Sequence, residues 1–115
     1  MLSAQDLPVI LATKAEPTET GLKIEFQLSS YIERADISSW IEQDKWFILN
    51  FYNIIRPEPE FFKNLVTYPV RKVEQTWLQN SNSLQLSIQV NRSIGIFDVL
   101  IHDEGRNVSI VITLS

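Results

Sequence analysis

The stretch Leu84-Gln-Leu-Ser-Ile-Gln-Val90 alternates strictly between apolar and polar residues. Successive side chains of a strand point to opposite faces, so this alternation predicts a β-strand with one buried and one wet face. Two further runs rich in β-branched residues follow, at residues 94–102 and 108–114, and Asp103-Glu-Gly-Arg-Asn107 joins them. The joining segment predicts a hairpin turn in which Gly105 adopts a positive φ. We therefore expect three consecutive strands at the end of the chain.

Five earlier segments are strand candidates, because they alternate or are rich in β-branched and aromatic residues. They are residues 8–13, 22–28, 31–41, 46–52 and 70–77. Three turn segments separate them, at residues 15–21, 42–45 and 79–82. Prolines at positions 57, 59 and 69 flank residues 60–66 and leave room there for a short helix at most.

The two halves of the chain match each other when one is shifted onto the other. A shift of 62 residues carries the alternating segment 22–28 onto the segment 84–90. Further matches occur at shifts of 62 or 61 residues, and they pair Ile32 with Ile94, Ile48 with Ile110, and residues 7–9 with residues 68–70. Such a match indicates a tandem duplication of a four-strand unit, with halves at about residues 8–53 and 69–115.

Two small sheets, each with one apolar face, remove both faces from water by packing against each other. We therefore predict an all-β fold, a two-sheet antiparallel β-sandwich with an internal pseudo-two-fold repeat, in which each half forms one sheet. The pattern does not decide whether the halves exchange strands. A chain of 115 residues with 44% apolar residues is long enough for one such domain, over residues 1–115.

Composition narrows the classes of partner. Ten basic against fourteen acidic residues give a net charge of −4, so no positive field is available for nucleic acid, and we expect none as a partner. The absence of cysteine excludes a disulfide framework and a thiol nucleophile. No apolar run approaches the length of a membrane-spanning helix. Residues 1–7 are expected to be a loosely held lead-in that lacks the regions of a secretory signal, so we expect any such signal to precede them.

Four motifs resemble those of a known family of envelope modules. The motifs are Pro69-Val-Arg-Lys-Val73, Leu84-Gln-Leu-Ser-Ile-Gln-Val90, Ile94-Gly-Ile-Phe97 and Arg106-Asn-Val-Ser-Ile-Val-Ile112. In this order they resemble the AMIN domain, a β-sandwich found ahead of the catalytic domain of periplasmic N-acetylmuramoyl-alanine amidases and at the N-terminus of type IV pilus secretins. The resemblance implies a periplasmic, cell-envelope location and a non-catalytic role. That role is to bind peptidoglycan or another envelope component and so to localise an enzyme or a secretion machine.

The sequence contains no set of residues whose types and spacing match a catalytic site. His102 is the single histidine, and it stands beside Asp103 and Glu104 at the predicted end of a strand, where a wet turn accounts for all three residues. Glu58 and Glu60 flank a proline and are best explained as solvated surface charge. The three glycines are scattered, which excludes a glycine-rich phosphate loop. We therefore expect no enzymatic activity, no metal and no cofactor.

One set of candidate binding residues consists of cations and a tryptophan. Arg71, Lys72 and Arg92 can donate hydrogen bonds to the carboxylates of a peptidoglycan stem peptide. Trp77 lies near a predicted turn, where an amphipathic ring can stack on a sugar or on a partner. The alternatives are that the cations are solvated charges on a strand edge and that Trp77 closes one end of the sandwich.

A second set of candidate residues forms an apolar stripe. Within residues 46–52 the alternation assigns Phe47, Leu49 and Phe51 to the core. The opposite face then presents a stripe to solvent, which together with Trp40 is a candidate docking surface for a partner protein: Trp46, Ile48 and Tyr52. Reversed parity, or coverage by residues 60–66, is the alternative. The stripe supports a second function, that of a protein-interaction module in a pilus or secretion assembly that docks through these residues or through a strand edge.

Overall fold

Residues 7–115 form eight β-strands, and the connection between the fourth and fifth strands is longer than the others. A computed structural model describes residues 7–115, so the lead-in predicted for residues 1–7 lies outside the described part except for Leu7. The strands are β1 (Ile10–Pro17), β2 (Gly21–Leu28), β3 (Ile37–Glu42), β4 (Trp46–Phe51), β5 (Val70–Leu78), β6 (Ser83–Val90), β7 (Ile94–His102) and β8 (Asn107–Leu114). Short 3-10 helices span Arg34–Asp36, Pro59–Leu65, Gln79–Ser81 and Asp103–Gly105.

Two four-stranded antiparallel sheets make up the fold. Sheet A has the order β1-β2-β8-β7, and sheet B has the order β3-β4-β6-β5. The predicted two-sheet antiparallel sandwich is therefore confirmed. The expectation that each half forms its own sheet is wrong, since each sheet takes two strands from each half. Alternation of residue type records which face of a strand is buried, but it carries no information on which strand lies beside it.

The two halves are related by a pseudo-two-fold exchange. When each strand is exchanged with its counterpart, β1 with β5, β2 with β6, β3 with β7 and β4 with β8, the strand order of sheet A becomes that of sheet B in reverse. Three loop hydrogen bonds, each from a backbone amide to a carbonyl oxygen, recur in both halves. In the first half the donors are Leu28, Ser29 and Ile32, and the acceptors are Arg106, Val9 and Gly105. The equivalent donors in the second half are Val90, Asn91 and Ile94, and the acceptors are Lys45, Pro69 and Asp44; all six distances are 2.8–3.1 Å.

No single shift in residue number relates all the strands of the two halves. Leu49 pairs with Leu86 in sheet B, and Ile110 pairs with Ile24 in sheet A, so Leu49 rather than Ile48 is the counterpart of Ile110. Counterparts are thus 62 residues apart in β2 and β6 but 61 apart in β4 and β8. They are 60 apart in β1 and β5 and in β3 and β7, because loops of unequal length join the strands. The predicted alignments of residues 7–9 with 68–70 and of Ile48 with Ile110 are each wrong by one residue.

The apolar faces of both sheets meet in one core. The alternating residues of β2 and β6 from Leu22 to Leu28 and from Leu84 to Val90 are at most 2% exposed. Phe26 of sheet A meets Phe51 of sheet B edge-on, with ring centroids 5.1 Å apart. Each fully buried side chain of this size contributes about 1.5–3 kcal/mol to folding. The assignment of Phe47, Leu49 and Phe51 to the core is confirmed.

The 3-10 helix Pro59–Leu65, here the linker helix, covers one flank of the sandwich. It packs against the edge strands β1 and β5 and buries Phe62 and Leu65. The Thr13 hydroxyl lies 2.8 Å from Asn64 Oδ1, and the Asn64 amide donates back to the Thr13 carbonyl oxygen. The edge strands β3 and β7 lie at the opposite ends of the two sheets.

Two strand boundaries differ from the prediction. β1 runs on to Pro17, inside the predicted turn at residues 15–21, because a proline at the end of an edge strand removes no necessary ladder hydrogen bond. β3 begins at Ile37 rather than at residue 31, since the 3-10 helix Arg34–Asp36 precedes it. The turn at Asp103–Gly105 has the predicted positive φ at Gly105, of 85°.

Candidate ligand-binding face

The outer surface of sheet B carries the candidate site. Leu49 and Leu86 are paired and both lie in the core, so the even-numbered residues of β4 face outward together with their cross-strand partners. The register then gives three outward rows: Trp40, Ile48, Ser87 and Glu74; Glu42, Trp46, Gln89 and Lys72; and Ser38, Asn50, Gln85 and Thr76. We call this surface the tryptophan face.

Two tryptophans flank an apolar centre on this face. Trp40 is directly opposite Ile48, and Trp46 is two residues from Ile48 on the same side of β4. Trp40 is 37% exposed, whereas Ile48 is only 4% exposed. The prediction that Ile48 faces away from the core is confirmed, but the expectation that it is exposed to solvent is wrong. The large side chains opposite and beside Ile48 exclude water from it. A shallow depression of about 260 Å³ remains beside Trp46, and Glu42, Gln43, Ile48, Glu74 and Ser87 also line it.

A polar cluster of three side chains stands at one end of the face. The Ser38 and Tyr52 hydroxyl oxygens are 3.0 Å apart, and Asn50 Nδ2 lies 3.3 Å from each of them. Asn50 is 6% exposed, and its Oδ1 has no hydrogen-bond partner among residues 7–115. A buried amide oxygen without a donor costs about 1–3 kcal/mol. The cluster therefore keeps a hydrogen-bond acceptor unused at some expense to stability.

The pseudo-two-fold exchange provides an internal comparison for the tryptophan face. The outer rows of sheet A at the twelve equivalent positions are Leu100, Ser109, Glu25 and Lys14; His102, Asn107, Gln27 and Ala12; and Asp98, Val111, Lys23 and Glu16. Five of these residues are charged and none is a phenylalanine, tyrosine or tryptophan, whereas the tryptophan face has two tryptophans and three charged residues. The fold therefore does not itself require aromatic residues at these positions.

The charges of the tryptophan face are engaged within it. Lys72 Nζ is 3.0 Å from Glu74 Oε1, and Trp40 Nε1 donates to Glu42 Oε1 at 3.3 Å. Around the tryptophans the remaining outward groups are neutral amides and hydroxyls, namely Gln85, Ser87, Gln89, Asn50, Ser38 and Thr76. Such a surface suits a neutral, hydroxyl-rich ligand better than an ionic one.

The predicted set of cations and Trp77 is not assembled into one site. Arg71 and Lys72 start β5, and Arg92 follows β6 at the same end of sheet B, since Val70 pairs with Val90. Trp77 lies five residues beyond Lys72 along β5, roughly 17 Å away at 3.3 Å per residue. Its indole shares the inner face with Leu84 and packs against the core. The Trp77 side chain instead lines a cleft with Arg56, a residue that sequence reasoning did not single out.

Other kinds of site have little support among residues 7–115. No three histidine, aspartate or glutamate side chains lie close enough there to hold one metal ion. His102 is exposed at the end of β7. None of the helices in the described part of the chain has the length and apolar character needed to cross a bilayer.

The polar residues of the tryptophan face carry a weak signal in the sequence. Gln85, Ser87 and Gln89 are the polar half of the alternation in β6, and that half reads simply as a wet surface. Asn50 breaks an apolar run in β4, which was a detectable signal of a special position. Comparison of the chain with models of protein families, with curated proteins and with solved structures found no match, so the resemblance to the AMIN domain stays a prediction.

Proposed function

We propose that this protein is a non-catalytic, periplasmic envelope module that binds the glycan strands of peptidoglycan through the tryptophan face and so localises an enzyme or a secretion machine. One observation carries the proposal. Two tryptophans occupy outward positions whose pseudo-symmetric counterparts are Leu100 and Asn107, and the amides Gln85 and Asn50 stand where sheet A has Lys23 and Val111. The resemblance to the AMIN domain is consistent with this role and supplies the choice of compartment.

The chemistry of a glycan strand fits the face. The C–H-rich side of a pyranose ring is apolar and packs on an indole, while its hydroxyl and acetamido groups need donors and acceptors. Gln89 is opposite Trp46 and Ser87 is in the row of Trp40, so they provide both types of group near the tryptophans, and Gln85 adds a further amide opposite Asn50. Asn50 lies four residues from Trp46, about 14 Å along the strand, so the face has room for more than one sugar ring.

Docking of a partner protein on the same face is less well supported. A stable interface takes about 800 Å² from each partner and centres on buried apolar anchors. On the tryptophan face Ile48 is already covered, and Trp40 alone is more than one-third exposed among the apolar residues. The exposed apolar area is therefore small for a protein interface and adequate for stacking sugars.

A strand edge supports the second candidate function, docking to another envelope protein. Ile96 and Leu100 are 67% and 43% exposed on β7, which is an edge strand of sheet A. Unpaired N–H and C=O groups on such an edge can accept a further strand from a partner. Ile96→Lys and Leu100→Lys would abolish docking of this kind and leave binding of glycan unchanged.

Co-sedimentation with purified insoluble peptidoglycan tests the proposal. We expect the native chain to be retained and the double variant Trp40→Leu, Trp46→Asn, which introduces the residue types of sheet A at these positions, to lose most of its retention. Lys23→Gln, which gives the outer face of sheet A the residue that sheet B has at the equivalent position 85, is the control for a change outside the tryptophan face and should be retained like the native chain. The proposal fails if the native chain is not retained, or if the folded double variant is retained equally well.

A further inference from the structure

A cleft opens at one end of the sandwich, between β5 and the segment that follows β4. It consists of two adjoining cavities of about 430 and 140 Å³, and both are lined by Trp77 and Arg56. Ile54 and Ile55 line the larger cavity, and Pro57 lines the smaller one. The larger volume falls within the range of roughly 300–1,000 Å³ that is typical of small-molecule sites.

The segment that carries Arg56 is anchored on both sides. The Ile54 amide donates to the Asn82 carbonyl oxygen at 3.1 Å, and the Ile55 amide donates to the Pro8 carbonyl oxygen at 3.0 Å. On the other side, Gln75 Nε2 donates to the Pro59 carbonyl oxygen at 3.0 Å. Prolines at positions 57 and 59 restrict the backbone further. Arg56 is thus held on a preorganised segment, which lowers the entropy cost of binding.

The Arg56 guanidinium has no counter-ion within the described residues. None of the four ion pairs found in residues 7–115 includes Arg56, and neither cavity is lined by an aspartate or a glutamate. A guanidinium presents a planar fork of donors that matches a carboxylate bidentately. A free fork beside an indole and two isoleucines therefore fits a carboxylate that is attached to a small apolar group.

We propose that this cleft binds the terminal D-alanyl carboxylate of a peptidoglycan stem peptide, a site that rests on the proposed function. Arg56 takes the carboxylate, while the methyl groups of the peptide pack against Trp77 and Ile55, which is 40% exposed. The cleft lies at the Asn50 end of the tryptophan face, because Phe51 and Trp77 are both paired with Leu84. A glycan strand on the face can therefore send its attached peptide around the end of the sheet. Arg71 and Arg92 also take part in none of the ion pairs of residues 7–115, so the preference for Arg56 as the carboxylate ligand rests on its position in the cleft beside Trp77.

Titration of the ¹⁵N-labelled full chain with N-acetyl-D-alanyl-D-alanine, followed by NMR, tests the cleft. We expect the Trp77 indole N–H and the Arg56 Nε–H to shift with saturation, and the C-terminal amide of the same dipeptide to bind at least tenfold more weakly. Arg56→Gln should lose at least tenfold in affinity. Arg92→Gln, which removes a cation at the opposite end of sheet B, is the matched control and should bind normally.

Three results would overturn the assignment. These are equal binding of the acid and the amide, shifts confined to Arg71 or Arg92, and equal or tighter binding of N-acetyl-L-alanyl-L-alanine, which would point to the C-terminus of a protein. Failure of the proposed function gives a different result. If the tryptophan face does not bind glycan, titration with an oligomer of N-acetylglucosamine will not shift the Trp40 and Trp46 indole signals. That result is independent of any shift that the dipeptide causes at Trp77.

Discussion

Trp40 stands directly opposite Ile48 across the β3–β4 pair, and Ile48 is 96% buried although it points away from the core. An isoleucine on the outer face of a sheet is normally half exposed, because only one face of a sandwich sheet is covered. Here the residue opposite shields it. The aromatic centre of the tryptophan face therefore contributes to stability as well as forming a candidate stacking surface, and the two roles can be separated by mutation.

Trp40→Ala is expected to destabilise the fold by about 1–3 kcal/mol, since it exposes Ile48 and removes the burial of the indole itself. Trp40→Leu should destabilise the fold less. At the equivalent position of sheet A, Leu100 stands opposite Ser109, and Ser109 is only 2% exposed. Urea unfolding followed by circular dichroism measures both changes. Equal stability of the alanine variant and the native chain would show that Trp40 does not shield Ile48.

Asn50→Val is expected to weaken binding without lowering stability, whereas Trp40→Ala lowers stability. The substitution removes the buried Oδ1 that lacks a partner, at the loss of two long hydrogen bonds of 3.3 Å. We expect the free energy of unfolding to stay within about 1 kcal/mol of the native value or to rise, because an unsatisfied polar atom is removed. Retention on peptidoglycan should nevertheless fall at least threefold, because the Ser38 and Tyr52 hydroxyl groups lose the amide that orients them. Tyr52→Phe, which leaves the Asn50 amide in place, is the comparison variant.

The outcome for Asn50 bears on the reason for its presence in β4. Its counterpart in β8 is Val111, so an apolar residue is compatible with this position of the fold. Natural proteins retain destabilising groups where function needs them. A loss of about 2 kcal/mol or more in Asn50→Val, with retention on peptidoglycan unchanged, would instead make the amide a structural residue.

Hydrogen bonds of Thr13 with Asn64 and with the Phe61 carbonyl oxygen tie the linker helix to β1. Asn64→Ala removes the donor to the Thr13 carbonyl oxygen, while the Thr13 hydroxyl keeps the Phe61 carbonyl oxygen as acceptor, so we expect a loss of about 1 kcal/mol in the free energy of unfolding. The neighbouring Lys63 is exposed, and its pKa is raised by a hydrogen bond to Glu60 and by the charge of Glu60. Lys63→Ala should change stability little, because exposed ion pairs are screened by solvent. Similar losses in both variants would contradict a specific role for Asn64.

The strands could be predicted from the sequence because burial is recorded in their alternation. Segments 22–28 and 84–90 behave as expected, since every second residue faces the core. The face of Trp77 could not be predicted, because a bulge between Val70 and Lys72 reverses the parity of β5. Val70 and Trp77, which an unbroken strand would place on opposite faces, therefore both point inward.

The candidate sites were predictable only in part, for a related reason. Trp40 and Trp46 were identified on β3 and β4, whereas their neighbours on β6 follow from a pairing between the two halves that alternation does not record. Arg56 depends on the path of a loop. Its position beside Trp77 is fixed by the hydrogen bonds of Ile54 and Ile55 to distant residues, and no local pattern contains that information.

Salt should distinguish the two proposed sites, because one of them is neutral and the other is ionic. Raising the NaCl concentration from about 0.05 to 0.5 M shortens the distance over which charges interact several-fold. The affinity of N-acetyl-D-alanyl-D-alanine for the Arg56 cleft should then fall at least threefold. The affinity of an N-acetylglucosamine oligomer for the tryptophan face should stay the same within error, since stacking and neutral hydrogen bonds are not screened. NMR titrations of the same labelled sample measure both affinities. A dipeptide affinity that is independent of salt would contradict a carboxylate held by Arg56, and a glycan affinity that falls with salt would contradict a neutral binding face.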